Sequence, residues 1–207
     1  MTVAIFGYGS LVNEATHRTP VLATVSARLH GWRRVWRARP PGGDATRDRL
    51  ALLSVEPHEG AAIDGVLMLD RDESLPDLDR REGHYDRVPL ERDAVELLED
   101  HAALAPDTPF FVYVARPVAG TAPGMMLRSY MDAVLQGYER RFGPGAAEAF
   151  LRSTAGASEL LEDDPPIYPR AVVISDDERE RYRALTRTLY PPRSVAMPAD
   201  AAGSEFE

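Results

Sequence analysis

Apolar residues fall into short strand-like runs over the first half of the chain and into helical spacing over the second. Residues 2–6 read as a strand, apolar without a break from Val3 to Phe6, that leads into Gly7-Tyr8-Gly9. Residues 22–30 and 32–38 alternate apolar and polar positions and predict two strands joined around Gly31. Residues 50–55 and 63–69 predict two more, separated by a turn at Glu59-Gly60. Between these pairs, residues 40–48 carry two prolines and two glycines and read as a loop.

Ser74-Leu75-Pro76-Asp77 has the form of a capped helix start, with the helix ending near Gly83. Residues 88–90 and 94–98 flank Glu91-Arg92-Asp93 and predict a hairpin, and residues 110–115 a further strand bounded by Pro109 and Pro117. After Pro123 the period changes. Tyr130, Val134 and Tyr138 recur at helical spacing over residues 129–142, Gly143-Pro144-Gly145 breaks the pattern, and residues 146–153 resume it. Ser175-Asp176-Asp177-Glu178 is a capping box opening the third helix after Pro123, with Tyr182, Leu185 and Leu189 on one face and Pro191-Pro192 as its stop. Strands early and helices late give an α+β fold. Residues 1–198 are expected to form one domain. Residues 199–207 lack periodicity and are expected to be disordered, with Gly203-Ser204-Glu205-Phe206 resembling an expression-vector scar.

Composition narrows the chemistry mainly through what is missing. The 207 residues contain no cysteine, which removes thiol nucleophiles, disulfides and thiolate metal sites, and every basic residue is arginine. Without lysine there is no Walker A phosphate anchor and no imine chemistry. The five histidines, at 17, 30, 58, 84 and 101, have no metal-ligand spacing. Asp70, Asp72 and Ser74 open like a calcium loop, but Leu75 and Arg81 occupy its glycine and terminal glutamate positions. The expectation is a site with no metal and no cofactor. A net charge of −9 argues against a nucleic-acid partner, and the basic stretch 28–39 reads as strands with solvated charges. No run approaches a membrane span and no secretory signal opens the chain, so the expected location is cytoplasmic. Oligomeric state is not legible.

Three places can carry chemistry. Glycines at the end of the first strand let backbone N–H groups face a ligand, forming an anion or oxyanion nest. A dinucleotide site needs a third glycine where Val12 stands, and an acid about 20 positions on; none occurs between Glu14 and Asp44. The second place is the run 80–87. Taken alone it reads as a solvated helix end, yet Glu82 sits at a helix-to-strand junction where a carboxylate can be partly desolvated and its pKa raised. The third is Tyr113, which shares a strand face with Phe111. It is either a core tyrosine or an inward hydroxyl lining a pocket, and the same choice stands for Tyr130.

Together, Phe6-Gly7-Tyr8-Gly9-Ser10-Leu11, Leu78-Asp79-Arg80-Arg81-Glu82-Gly83-His84-Tyr85 and Ser129-Tyr130, heading a helix that reaches Gly137, resemble the γ-glutamylcyclotransferase superfamily with its ChaC-like and AIG2-like branches. The likeness spans roughly residues 2–155. It implies a small mixed β-barrel flanked by helices, and an enzyme that releases 5-oxoproline from a small γ-glutamyl substrate without metal or cofactor. By the same resemblance Glu82 is the acid/base, the backbone of Gly7, Tyr8, Gly9, Ser10 and Leu11 holds the γ-glutamyl group, and Tyr113 and Tyr130 line the pocket. That chemistry suits a chain without Cys or Lys, because the substrate's own α-amine is the nucleophile. Residues 33–64 match the ChaC-like pattern associated with glutathione only loosely, at Gly31-Trp32-Arg33-Arg34, and residues 156–198 do not align. The substrate therefore stays open among glutathione, a γ-glutamyl amino acid and a γ-glutamyl amine. The competing expectation is a non-catalytic module that holds a small acidic metabolite in the same pocket.

Overall fold

β1 (Thr2–Gly7) has to be covered on both faces, since its residues 3–6 are all apolar. The computed structural model, which describes residues 1–18, 20–99 and 104–191, places it inside a mixed sheet. β3 (Ala51–Arg71) runs antiparallel on one side of β1 and β6 (Phe110–Ala115) parallel on the other. Beyond β3 lie β2 (Ala23–Ala38) and β5 (Val95–Leu97); beyond β6 lies β4 (Tyr85–Leu90). Ala4 and Phe6 face the main core, which is closed by α2 (Arg128–Phe142), α3 (Ala146–Arg152) and α4 (Asp176–Leu189). Val3 and Ile5 face a smaller cluster with Met68 and Tyr113, covered by Leu75 and Leu78 of α1 (Leu75–Arg81).

The α+β class is as expected, with three corrections in its assembly. The sheet does not close into a barrel: among the described residues its strand order ends at β4 and at β5, and residues 154–155 pair with β2 off that path. Residues 22–38 and 50–69 do not form two pairs of strands but two long ones. The β2–β3 ladder runs from Ala38↔Ala51 to Trp32↔Pro57 and again from His30↔Ala62 to Ala23↔Leu69. Gly31 and Gly60, both at φ +76°, absorb the irregularity between the two stretches, so these glycines bend the ribbon without ending it. Residues 88–90 and 94–98 are not a hairpin, because β4 pairs with β6 and β5 with β2.

Ser74 also departs from its expected role. Its hydroxyl bonds Asp70 rather than a helix N–H, and a 3₁₀ turn leads into α1. The capping box of α4 is present as read: Glu178 N–H donates to Ser175 Oγ at 3.2 Å and Ser175 N–H to Glu178 Oε2 at 2.8 Å. Three short strands, β7 (Met126–Leu127), β8 (Thr154–Ala155) and β9 (Leu160–Leu161), have no periodicity to betray them. The expected tail at 199–207 lies outside the described residues.

Arg34 is not solvated, as the basic stretch suggested, but 2% exposed. Its guanidinium is satisfied by neutral groups: Tyr8 O at 3.2 Å, Tyr138 Oη at 2.8 Å, Ser153 Oγ at 3.0 Å and the Asp64 carbonyl, with Tyr138 and Phe150 stacked on it. A buried charge needs such partners to be tolerable.

Candidate active site

The chain leaves β1 through Tyr8-Gly9 and enters a single 3₁₀ turn at Ser10–Val12. The first backbone bond of that turn runs from Val12 N–H to Gly9 O at 3.0 Å. Among the described residues no backbone acceptor takes the N–H groups of Gly9, Ser10 and Leu11, which is what an oxyanion nest requires. A side chain at Gly9 is excluded, since a Cβ there would lie 2.5 Å from Tyr130 Oη and 3.1 Å from Leu53. The loop is held from behind: Arg34 and Tyr138 both donate to the Tyr8 carbonyl, the latter at 2.9 Å. Asn13 Nδ2 donates to Ala133 O at 2.8 Å and Gln136 Oε1 at 3.1 Å, tying the loop to α2.

Glu82 follows the last residue of α1, and its N–H closes the helix on Leu78 O at 2.8 Å. Tyr85 N–H returns to Glu82 O at 2.7 Å, and this tight turn brings the carboxylate back over the sheet. Its side chain is only 18% exposed, and burial raises its pKa above the ordinary 4.5 against the pull of Arg81, whose Nε lies 3.2 Å away. Desolvation therefore outweighs the ion pair.

Glu82 and residues Gly7, Tyr8, Gly9, Ser10 and Leu11 line one cavity with about 490 Å³ of empty space, open to solvent on one side. Tyr85, Tyr113, Tyr130 and Arg170 complete its wall. The tyrosines are mostly committed. Tyr8 Oη donates to Tyr113 O at 2.6 Å, and Tyr85 Oη to Leu53 O at 3.0 Å. Burial raises the pKa of both well above 10, so they are neutral donors near pH 7.

Tyr113 reaches the cavity with its ring, but its hydroxyl donates to Asp79 Oδ1 at 2.8 Å, toward α1. It is thus both a packed tyrosine of the smaller cluster and a wall residue. Tyr130 stands edge-on to Trp36 and to Tyr168, with its hydroxyl against Gly9. All eight residues expected at the site from the sequence lie around this one cavity.

Two neighbours have no counterpart in the sequence reading. Tyr168 Oη bonds Ser10 Oγ at 2.7 Å, and the Arg170 guanidinium lies over the Tyr168 ring at 5.5 Å. They belong to an aperiodic segment fastened by Asp163, which accepts the Ser129 N–H at the start of α2 (2.8 Å) and the Ile167 N–H (2.7 Å). Burial raises the Tyr168 pKa to about 12. Among the described residues no group of three or more His, Asp or Glu side chains converges as a metal site, and no helix is long and apolar enough to cross a membrane.

A family described as "Gamma-glutamyl cyclotransferase, AIG2-like" matches residues 5–132, a stretch that contains the glycine loop, Glu82, Tyr113 and Tyr130 but not Tyr168 or Arg170. No curated protein sequence matches the chain. A solved structure named gamma-glutamyl cyclotransferase is similar over 89% of this chain and 99% of its own, with TM-score 0.54 and 12% identity. The crystal structure of an uncharacterized protein from Homo sapiens is similar over 88% and 98%, with TM-score 0.53 and 13% identity. YkqA from Bacillus subtilis gives TM-score 0.50 and 21% identity over 73% of this chain, which matches 53% of YkqA. At these identities the structural likeness speaks to the fold.

Proposed function

This chain belongs to the gamma-glutamyl cyclotransferase, AIG2-like family, and from that premise we propose that it releases 5-oxoproline from a small γ-glutamyl substrate, with Glu82 as acid/base. The observation that carries this reading is the partly desolvated Glu82 carboxylate in the same cavity as the N–H groups of Gly9, Ser10 and Leu11, which no backbone acceptor takes among the described residues.

The α-amine of the γ-glutamyl group is the nucleophile. Held folded in the cavity, it attacks the γ-carbonyl carbon of its own side chain, and proximity replaces a second reactant. Ionised Glu82 takes a proton from the attacking nitrogen. Charge gathers on the γ-carbonyl oxygen, where the glycine-loop N–H groups act as preorganised donors. The C–N bond to the departing amine then breaks as Glu82 returns the proton to that nitrogen, leaving 5-oxoproline and a free amine with no water consumed. A carboxylate with a raised pKa is suited to both transfers. Tyr130 and Leu53 shape the floor under Gly9, and Tyr8 and Tyr85 keep the wall neutral.

The test is Glu82→Gln, which keeps size and hydrogen-bonding capacity. The expected outcome is an unchanged circular-dichroism spectrum with 5-oxoproline formation lowered about 10²- to 10⁴-fold, the usual worth of positioned acid–base help. Full activity in the variant overturns the mechanism. Saturable binding of γ-glutamyl compounds by the wild type without any 5-oxoproline favours a binding module instead.

A further inference from the structure

The reaction cavity opens into a second groove, with about 1010 Å³ of empty space, and shares Leu53, Glu82, Tyr85, Tyr130 and Arg170 with it. A substrate whose γ-carbonyl lies beside Glu82 must send its departing half along this groove. Its charges are unusual for a chain of net charge −9. Arg39, Arg47, Arg81 and Arg170 line it, and among the described residues Glu82 is the one carboxylate in its lining.

Two of these arginines already have acidic partners, Arg81 with Glu82 and Arg47 with Asp44 at 3.4 Å. Among the described residues the other two do not. Arg39 donates to His84 Nε2 at 2.6 Å, a neutral acceptor. Arg170 has a buried Nη1 with no hydrogen-bond partner, and among the described residues no carboxylate pairs with it. A buried guanidinium N–H left unmatched costs free energy that an incoming anion can recover. Arg34 shows the contrast: it is the more deeply buried, but its guanidinium is met by carbonyl and hydroxyl oxygens.

We propose that Arg170 and Arg39 form an anion subsite for the departing half of the substrate, so that this protein takes γ-glutamyl compounds whose leaving amine carries a carboxylate, an amino acid or peptide, in preference to γ-glutamyl alkylamines. This rests on the cyclotransferase reading for its chemistry but not for its binding. Arg170 is then a specificity residue supplied by the segment beyond the family match.

γ-Glutamylalanine and γ-glutamylethylamide differ only by the carboxylate on the departing half. Wild-type kcat/KM for 5-oxoproline release is expected to favour γ-glutamylalanine by roughly 10- to 100-fold, the range for one or two charge-assisted hydrogen bonds. In Arg170→Gln, and separately in Arg39→Gln, that ratio falls toward one, mainly through KM for γ-glutamylalanine. Equal turnover of the two substrates by the wild type overturns the inference. So does an Arg170→Gln variant that loses both substrates equally, since Arg170 would then hold the γ-glutamyl half. Titration calorimetry with the same pair decides the case if neither releases 5-oxoproline. The cyclotransferase reading then fails, while preferential binding of γ-glutamylalanine, weakened in either variant, upholds the subsite and equal binding removes it.

Discussion

At Glu82 two forces oppose each other over a few ångströms. Burial favours the neutral acid; the Arg81 guanidinium at 3.2 Å favours the carboxylate, and burial prevails. If Glu82 acts as the base, the acidic limb of kcat/KM lies above the ordinary glutamate value of 4.5, with activity rising as pH increases. Arg81→Gln removes a charge that lowers this pKa, so the limb moves to higher pH. The substrate α-amine titrates identically in both proteins, which makes the difference between their profiles the readout. A limb that stays in place, or moves down, shows that a group other than Glu82 sets it. Glu82 was legible because glycine and tyrosine surround it at the end of a short helix. Arg34 was not, because alternating charge along a strand usually faces water; here five long-range neutral and aromatic partners bury it.

Among elements, α2 controls the glycine loop. Its Gly137 lies so close to the loop that a Cβ would sit 2.6 Å from Asn13 Cβ and 2.7 Å from Asn13 N. Asn13 in turn reaches back to Ala133 O and Gln136 Oε1, so helix and loop fit only in this register. Gly137→Ala is expected to cost about 1–3 kcal/mol through overpacking, despite the better helix propensity of alanine. Because the strain falls on the residue after the Ser10–Val12 turn, kcat/KM should drop as well. Urea melts and kinetics on one preparation check both; a variant as stable and active as wild type shows that the loop does not depend on α2. The helix itself was readable from Tyr130, Val134 and Tyr138. What escaped the sequence was the segment that meets its start, since the cap is Asp163, 34 residues from Ser129, and nothing periodic marks Tyr168 or Arg170.

For the molecule as a whole, the fold class was readable and the pairing was not. A short apolar run such as residues 88–90 announces a strand, but which strand it joins is decided by the register of β6 and β1 across the sheet. The same long-range assembly buries Asp132 of α2 among Arg128, Glu162, Arg179 and Arg183, where desolvation raises its pKa from 3.8 to about 6. Arg128 Nη1, 3.8 Å away, offsets that burial only in part. A carboxyl with a folded pKa above its unfolded one favours the folded state fully below 3.8, and that contribution is lost as pH rises through about 6. Near neutral pH the ionised form thus weighs against folding by up to roughly 3 kcal/mol, at about 1.4 kcal/mol per pKa unit. Asp132→Asn removes the charge and keeps an oxygen for Arg128. Its Tm should exceed that of the wild type at pH 7.5 and approach it by pH 4. An advantage that persists unchanged at pH 4 would come from packing, and a lower Tm at pH 7.5 would make the Arg128 ion pair the dominant force at this end of α2.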